Sequence, residues 1–139
     1  MTLMAHKNWL KISGVLVMLF GPIFVLGAHE PFSEPSRWSL DVLAWPLDGV
    51  ETYADRTTRL LSALAGGFLM GWGALIWILS GPIYDAAPDP VRKAVLTGYL
   101  FWFVFDSTGS ILSGAASNAG FNILVLLVLV GPLWRPASA

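Results

Sequence analysis

Four long apolar stretches constrain this chain more than any other feature of its sequence. They cover residues 9–28, 60–83, 94–113 and 119–134. Lys11 interrupts the first stretch, Asp106 is the single charge in the third, and the other two carry none. A helix needs about 20 mostly apolar residues to cross a bilayer, and backbone amides in lipid must pair within their own segment. The sequence therefore predicts four membrane-spanning helices.

The charged residues are too few and too unevenly placed for a soluble protein. They make up 12% of the chain, whereas soluble domains contain about 25%. Six of the nine acidic residues fall between His29 and Arg59. The absence of a basic stripe argues against nucleic acid as a partner, and the absence of cysteine excludes disulfides and thiolate chemistry.

These features predict an all-α protein with a single domain, 1–139, folded as an antiparallel four-helix transmembrane bundle. We expect spans at about 9–28, 59–83, 91–114 and 118–135. The links between the later spans are short, which makes consecutive spans antiparallel. The first connection, 29–58, is much longer and is predicted to be an extracytoplasmic loop. An alternative for the first stretch is a secretory signal peptide that is removed.

Capping signals predict where the later spans begin and end. Asp89 followed by Pro90 is typical of a helix start, with the aspartate as the cap. Asn118 is a candidate cap for the fourth span. Gly81–Pro82 and Gly131–Pro132 are predicted to end spans two and four.

The long loop is predicted to carry a short helix at 36–45. Ser36 is its expected cap, and Arg37 is placed to pair with Asp41 one turn later. Trp38, Val42 and Trp45 then share one face. Two tryptophans on one face suit either a membrane interface or a lid packed on the end of the bundle.

Basic residues favour an orientation with both termini in the cytoplasm of a cell inner membrane. In that orientation the inner side carries more basic residues than the outer side, which carries Arg37, Arg56 and Arg59 among the acids. The inner set is Lys7, Lys11, Arg92, Lys93 and Arg135.

Asp106 is the residue most informative about function. A lone acid in a span costs about 2.5–3.5 kcal/mol on insertion scales, so it should face the bundle and be protonated or paired. Arg59 and Asn122 are expected at the same outer level, and Arg59 has the reach to extend toward the acid. Helical spacing adds further residues on the Asp106 stripe: Tyr99, Trp102, Ser110 and Ser113.

Three interpretations of this predicted cluster remain open. It is a buried polar network that fixes helix register, a proton or cation site, or a contact with the span of a partner protein. An acid beside aromatic rings suits an organic cation, which gives Tyr99 and Trp102 a role in the second interpretation.

Glycines in the second span predict close helix contact. Gly66 and Gly73 lie on one face, and Gly67 and Gly71 form a GxxxG pattern. Small residues let transmembrane helices approach closely. The GxxxG pattern favours either packing within the chain or homodimerisation.

No set of residues required for catalysis is apparent, so we do not expect an enzyme. A serine nucleophile near Asp106 would need a base, and His29 is placed too close to the surface. Only one carboxylate lies in the spans, and His6 and His29 fall on opposite sides. We expect no catalytic residues, no cofactor and no metal site.

Residues in the second, third and fourth spans resemble segments of a known protein family. The run 101–107, followed by Ser110, Gly114, Asn118 and Asn122, resembles a motif of a family of small four-span bacterial inner-membrane proteins of unknown function. The segment GGFLMGWG at 66–73 is similar to their second span. The resemblance covers about the last 80 residues and implies a four-helix inner-membrane fold without an assigned activity.

Two functional hypotheses follow. The first is a non-enzymatic accessory or assembly subunit, whose partners are the lipid bilayer and either further copies of itself or a larger membrane complex. The second is a small proton- or cation-linked carrier that uses Asp106. The aliphatic fourth span and the GxxxG pattern favour the first hypothesis.

Overall fold

The computed structural model describes residues 1–137 and is helical along most of its length. Four helices are long and apolar enough to cross a membrane, which agrees with an all-α bundle of four spans. The six α-helices are α1 Leu3–Leu26, α2 Glu34–Ala44, α3 Arg56–Leu79, α4 Pro82–Ala86, α5 Pro88–Leu112 and α6 Ala116–Val130. Two 3₁₀ turns, Glu30–Phe32 and Gly131–Trp134, follow α1 and α6.

The long helices form two antiparallel hairpins. The first hairpin pairs α1 with α3, and the second pairs α5 with α6. Residues 27–55 and the α5–α6 turn lie at one end of the molecule, the loop end. The start of α1, helix α4 and the Gly131–Trp134 turn lie at the opposite end. Large apolar side chains such as Phe105 and Leu112 point outward, 70% and 83% exposed, as expected for contact with hydrocarbon.

Glycines bring the backbones of α1 and α3 into direct contact. A Cβ atom on Gly66 would lie 2.6 Å from the carbonyl oxygen of Gly21, and one on Gly73 would lie 2.5 Å from that of Gly14. The two glycines of each helix are seven residues apart, or two turns, so they share one face. Gly66 and Gly73 therefore occupy the predicted helix contact, and α1 supplies the matching glycines.

The GxxxG glycines of α3 have a different position. Gly67 and Gly71 are exposed, and a Cβ atom on either would meet no atom within 4 Å among the described residues. Neighbouring residues of a helix point about 100° apart, so Gly67 turns away from the face that Gly66 presents to α1. The interpretation of this motif as packing within the chain is therefore wrong.

The predicted starts of α5 and α6 shift by two or three residues. Ala87, rather than Asp89, is the cap position of α5, because Pro88 takes the first helical position. Asp89 lies within the first turn and pairs with Arg92 and Lys93. Ala115 is the cap position of α6, so Asn118 also lies inside a helix. Helices α3 and α6 end before Gly81–Pro82 and at Gly131–Pro132, as predicted.

The loop helix α2 also begins earlier, after Ser33, and its polar residues have other partners. Ser36 is buried inside α2 and donates a hydrogen bond to the carbonyl of Ile23 on α1. Arg37 pairs with Glu34 at 2.9 Å. Asp41 is buried and its Oδ1 accepts hydrogen bonds from the amides of Asp48 and Gly49. The predicted pairing of Arg37 with Asp41 is therefore replaced by a turn stabilised by Asp41.

Helix α2 connects the two hairpins at the loop end. The hydroxyl of Ser36 holds it to α1, and the hydroxyl of Ser117 on α6 donates to the carbonyl of Leu43 at 2.6 Å. Trp38 and Trp45 remain about 60% exposed, an arrangement that suits a membrane interface. Asp55 caps α3, and hydrogen bonds from the Thr58 hydroxyl and amide hold the pKa of Asp55 below its ordinary value.

The tightly packed core lies in the half of the molecule away from the loop. Its side chains come from the first half of α1 and α5, from the end of α3 and α6, and from the Gly131–Trp134 turn; they include Leu10, Ile76, Val95, Tyr99, Leu129 and Leu133. The Trp9 indole donates to the carbonyl of Leu129 at 3.2 Å, and Arg92 donates to that of Leu133 at 3.1 Å. The two hairpins therefore contact each other at the end away from the loop. A space between them lies nearer the loop end.

Candidate functional site

A cleft of about 870 Å³ lies between the two hairpins in the half nearer the loop. All four long helices contribute to its wall, and Leu40 and Leu43 of α2 border it at the loop end. A volume of roughly 300–1,000 Å³ is typical of small-molecule sites. The cleft is therefore of a size that suits a small-molecule ligand.

Most of the cleft wall is apolar. The lining side chains are chiefly leucine, valine, phenylalanine and tryptophan; they include Val17, Phe20, Phe68, Trp72, Val125 and Leu129. Several of them stand at the rim and remain exposed, among them Phe68 at 77% and Leu124 at 61%. The cleft is thus open toward the surroundings of the helices, which in a bilayer is hydrocarbon.

The polar residues of the cleft are gathered near the loop end. Asp106 on α5 and Asn118 and Asn122 on α6 all border the cavity. The Asn118 amide donates to the Ser110 hydroxyl at 2.7 Å and to Oδ1 of Asp106 at 3.3 Å. The Ser110 hydroxyl also donates to the backbone carbonyl of Asp106 at 2.8 Å and lies 3.2 Å from Oδ1 of its carboxylate. The carboxylate is therefore held by neutral donors from two helices.

Asn122 extends this polar end by one helical turn. Its side chain is 3% exposed and donates a hydrogen bond to the Ser107 hydroxyl at 3.1 Å. Together these contacts fix α6 against α5 through hydrogen bonds between side chains, which stabilise helix pairs in membranes by about 0.6 kcal/mol each on average. We refer to Asp106, Ser107, Ser110, Asn118 and Asn122 as the polar cluster.

Arg59 does not join the polar cluster, contrary to the sequence prediction. Its guanidinium donates to the carbonyls of Tyr53 and Ala54 at 3.2 and 3.1 Å and lies 3.7 Å from the Glu30 carboxylate. The side chain therefore turns toward the loop instead of extending down the bundle. The loop carbonyls and the exposed Glu30 carboxylate stabilise the charge of the Arg59 guanidinium without burying it in hydrocarbon.

The remaining predicted site residues divide between the cleft and the core. Trp102 lines the cleft. Tyr99 is completely buried, with its ring 5.8 Å from that of Trp72, and is not part of the cleft wall. Ser113 is exposed and donates to the Ser110 carbonyl at the end of α5. The predicted stripe thus contributes Asp106, Ser110 and Trp102 to the site.

Asn118 and Ser107 are the polar-cluster residues that sequence reasoning missed. Asn118 was interpreted as a helix cap, yet it lies four residues before Asn122 and therefore on the same face of α6. This four-residue spacing is the sequence signal that could have placed Asn118 in the polar cluster with Asn122. Ser107 follows Asp106 directly and therefore points about 100° away from it around α5, outside the predicted stripe.

A second group of polar side chains joins α1 to α4 and lies at the opposite end. Nδ1 of the buried His6 lies 2.7 Å from the Tyr84 hydroxyl, and Lys7 pairs with Asp85 at 2.7 Å. Burial raises the pKa of Tyr84. The partners are 78 residues apart in the chain, so no local pattern could reveal them. These contacts fasten the opposite end and lie away from the cleft.

The acidic loop brings three carboxylates together. Ligand oxygens of Asp41, Asp48 and Glu51 lie within 4.8 Å of one another. One oxygen of Asp41 is already engaged by backbone amides, which is the arrangement of a turn. Oxygen donors of this kind suit a hard cation, but the geometry is accounted for by the turn.

The groups that border the cleft can recognise a ligand by hydrogen bonds and apolar contact. Asp106 forms no ion pair among residues 1–137, and no basic side chain of those residues lines the cavity. The site offers a carboxylate, two amides and an apolar wall.

Comparison of this chain with protein-family models, curated proteins and solved structures gave no match.

Proposed function

We propose that this protein is a small non-enzymatic accessory or assembly subunit of a bacterial inner membrane. It crosses the bilayer four times with both termini in the cytoplasm. The proposed orientation is supported by the basic residues near the end away from the loop: Lys7, Lys11, Arg92, Lys93 and Arg135. The acidic loop then faces the outside.

The assembly role is carried by the open glycine face of α3. Gly67 and Gly71 present bare backbone on the side of α3 turned away from α1, and Leu64 and Leu75 beside them are about half exposed. Within the molecule, α1 and α3 pack closely in the same way, because glycines of each helix contact the backbone of the other. Association of helices in lipid depends on such close packing because no hydrophobic effect drives it. We propose that a transmembrane helix of another subunit covers this face.

Replacing both Gly67 and Gly71 with leucine is expected to disrupt assembly without unfolding the protein. The added side chains enter open space within the chain but block the approach of another helix, so association should weaken by about tenfold or more. Size-exclusion chromatography with light scattering in mild detergent, together with co-purification from membranes, measures the change.

Two matched controls separate assembly from general damage. Gly109 and Gly120 are also exposed, with open space around them, so the double change to leucine there should leave association intact. The chain contains no cysteine, so a single cysteine at Leu64 reports contact by crosslinking, with Leu112 on α5 as the control position. A monomeric particle without partners, insensitive to Gly67 and Gly71, would rule the proposal out.

The second candidate function is a small carrier that binds a proton or cation at Asp106. It is favoured by one observation: the acid borders a large cavity without an ion-pair partner among residues 1–137. For a carrier, Asp106→Asn in reconstituted vesicles should abolish cation-dependent flux and its pH response. Unchanged flux and pH response would reject the carrier, and a lower folded yield alone would indicate a structural role.

A further inference from the structure

We infer that the cleft binds a single-chain amphiphile with an ammonium headgroup, the headgroup at Asp106 and the chain along the apolar wall. The inference shares its site with the carrier candidate but does not require transport, so binding without flux would leave it standing. It is also independent of the assembly role, since Gly67 and Gly71 do not line the cleft.

Charge complementarity selects the headgroup. The carboxylate of Asp106 receives hydrogen bonds on Oδ1 from Ser110 and Asn118, both neutral donors. Its Oδ2 accepts no hydrogen bond from residues 1–137, and Asp106 borders the cavity. A charge left unpaired in a membrane is costly. A cationic ligand supplies the missing partner, whereas an anionic one would meet no basic group in the described wall.

Aromatic side chains add to the preference for an organic cation. On α5, Trp102 precedes Asp106 by four residues, or about one helical turn. On α6, Phe121 lies between Asn118 and Asn122. Both aromatic side chains border the cleft. The face of an aromatic ring attracts ammonium groups, more strongly when water is excluded. A bare metal ion would gain little from this apolar wall, since hard cations prefer several oxygen ligands.

The length of the cleft suits an extended alkyl chain. From Asn118 to Leu129 the wall follows twelve residues of α6, or about 16 Å of helix. One extended alkyl chain lies along such a wall and buries apolar surface on both hairpins.

The inference is tested with three photoreactive probes that share one alkyl chain and differ in the headgroup: trimethylammonium, hydroxyl and sulfate. The full chain is placed in lipid nanodiscs, irradiated and digested, and adducts are mapped by mass spectrometry. The ammonium probe should label cleft segments of α3 and α6 about tenfold more than the sulfate probe, the size expected of one charge-assisted contact. Asp106→Asn should reduce the ammonium labelling to that of the hydroxyl probe.

Controls keep the test decisive if Asp106→Asn folds poorly. Asp106→Glu retains the charge and should retain the preference for ammonium, while Asp48→Asn removes an exposed acid of the loop and should change nothing. Leu124→Trp adds bulk at the rim of the cleft and should reduce labelling by every probe. Equal labelling by all three headgroups in the wild-type protein, or ammonium labelling that survives Asp106→Asn, would overturn the inference and indicate ordinary lipid in the cleft.

Discussion

Replacing Gly66 with alanine is expected to destabilise the protein by about 2–4 kcal/mol, although alanine is the better helix former. The new methyl group would lie 2.6 Å from the Gly21 carbonyl oxygen and 2.8 Å from the Val25 amide nitrogen. Both are backbone atoms of α1, so no side chain can rotate to relieve the overlap. The two helices must separate, and the packing along their whole contact weakens.

Gly109→Ala is the matched control, because it makes the same change at an exposed helical glycine outside the proposed assembly face. Its methyl group enters open space, so the substitution should be neutral or should stabilise α5 by up to about 1 kcal/mol. Thermal unfolding in mild detergent, followed by circular dichroism and by loss of the monodisperse peak, compares the two variants. Equal melting temperatures would contradict the glycine contact between α1 and α3.

Arg92→Met is expected to cost about 2–4 kcal/mol. The Arg92 side chain is 10% exposed; its guanidinium donates to the Leu133 carbonyl at 3.1 Å and to Asp89 at 2.6 Å. Methionine preserves much of the apolar stem but leaves the buried carbonyl of Leu133 without this donor. The turn after α6 should then detach from α5, which is measurable as faster hydrogen exchange in 131–134.

Lys93→Met tests whether Arg92 acts through burial or merely through charge. Lys93 pairs with the same carboxylate, Asp89, at 2.7 Å, but its side chain is 69% exposed. Exposed ion pairs contribute about 0–1 kcal/mol, so this variant should melt close to the wild type. If both variants lost the same stability, the contact with Leu133 would not be the important one.

The candidate site was predictable in part because one helix supplies most of its pattern. Helical spacing alone placed Asp106, Ser110 and Trp102 on one stripe, and a lone acid in an apolar stretch had to find polar neighbours. Arg59 was misplaced because its charge has two ways to be satisfied, and only the folded loop decides between them. The loop carbonyls of Tyr53 and Ala54 lie within its reach.

The helix starts show the same limit on a smaller scale. Both Ser36 and Asp89 have the chemistry of a cap, but each lies inside a helix because a proline or a tertiary contact sets the boundary. Capping preferences amount to about 1 kcal/mol. That is comparable to a single hydrogen bond to a neighbouring element, so the tertiary contact can override the local signal.

The sequence by itself determined four apolar helices, their alternating directions and the single acid within an apolar stretch, because hydrophobic length and periodicity are local properties of the chain. Only the tertiary structure decided which glycines face α1, which partners hold Asp106, and that the hairpins separate toward the loop to leave a cleft. Those outcomes depend on the rotation of each helix about its axis, which is set by contacts between residues far apart in the sequence.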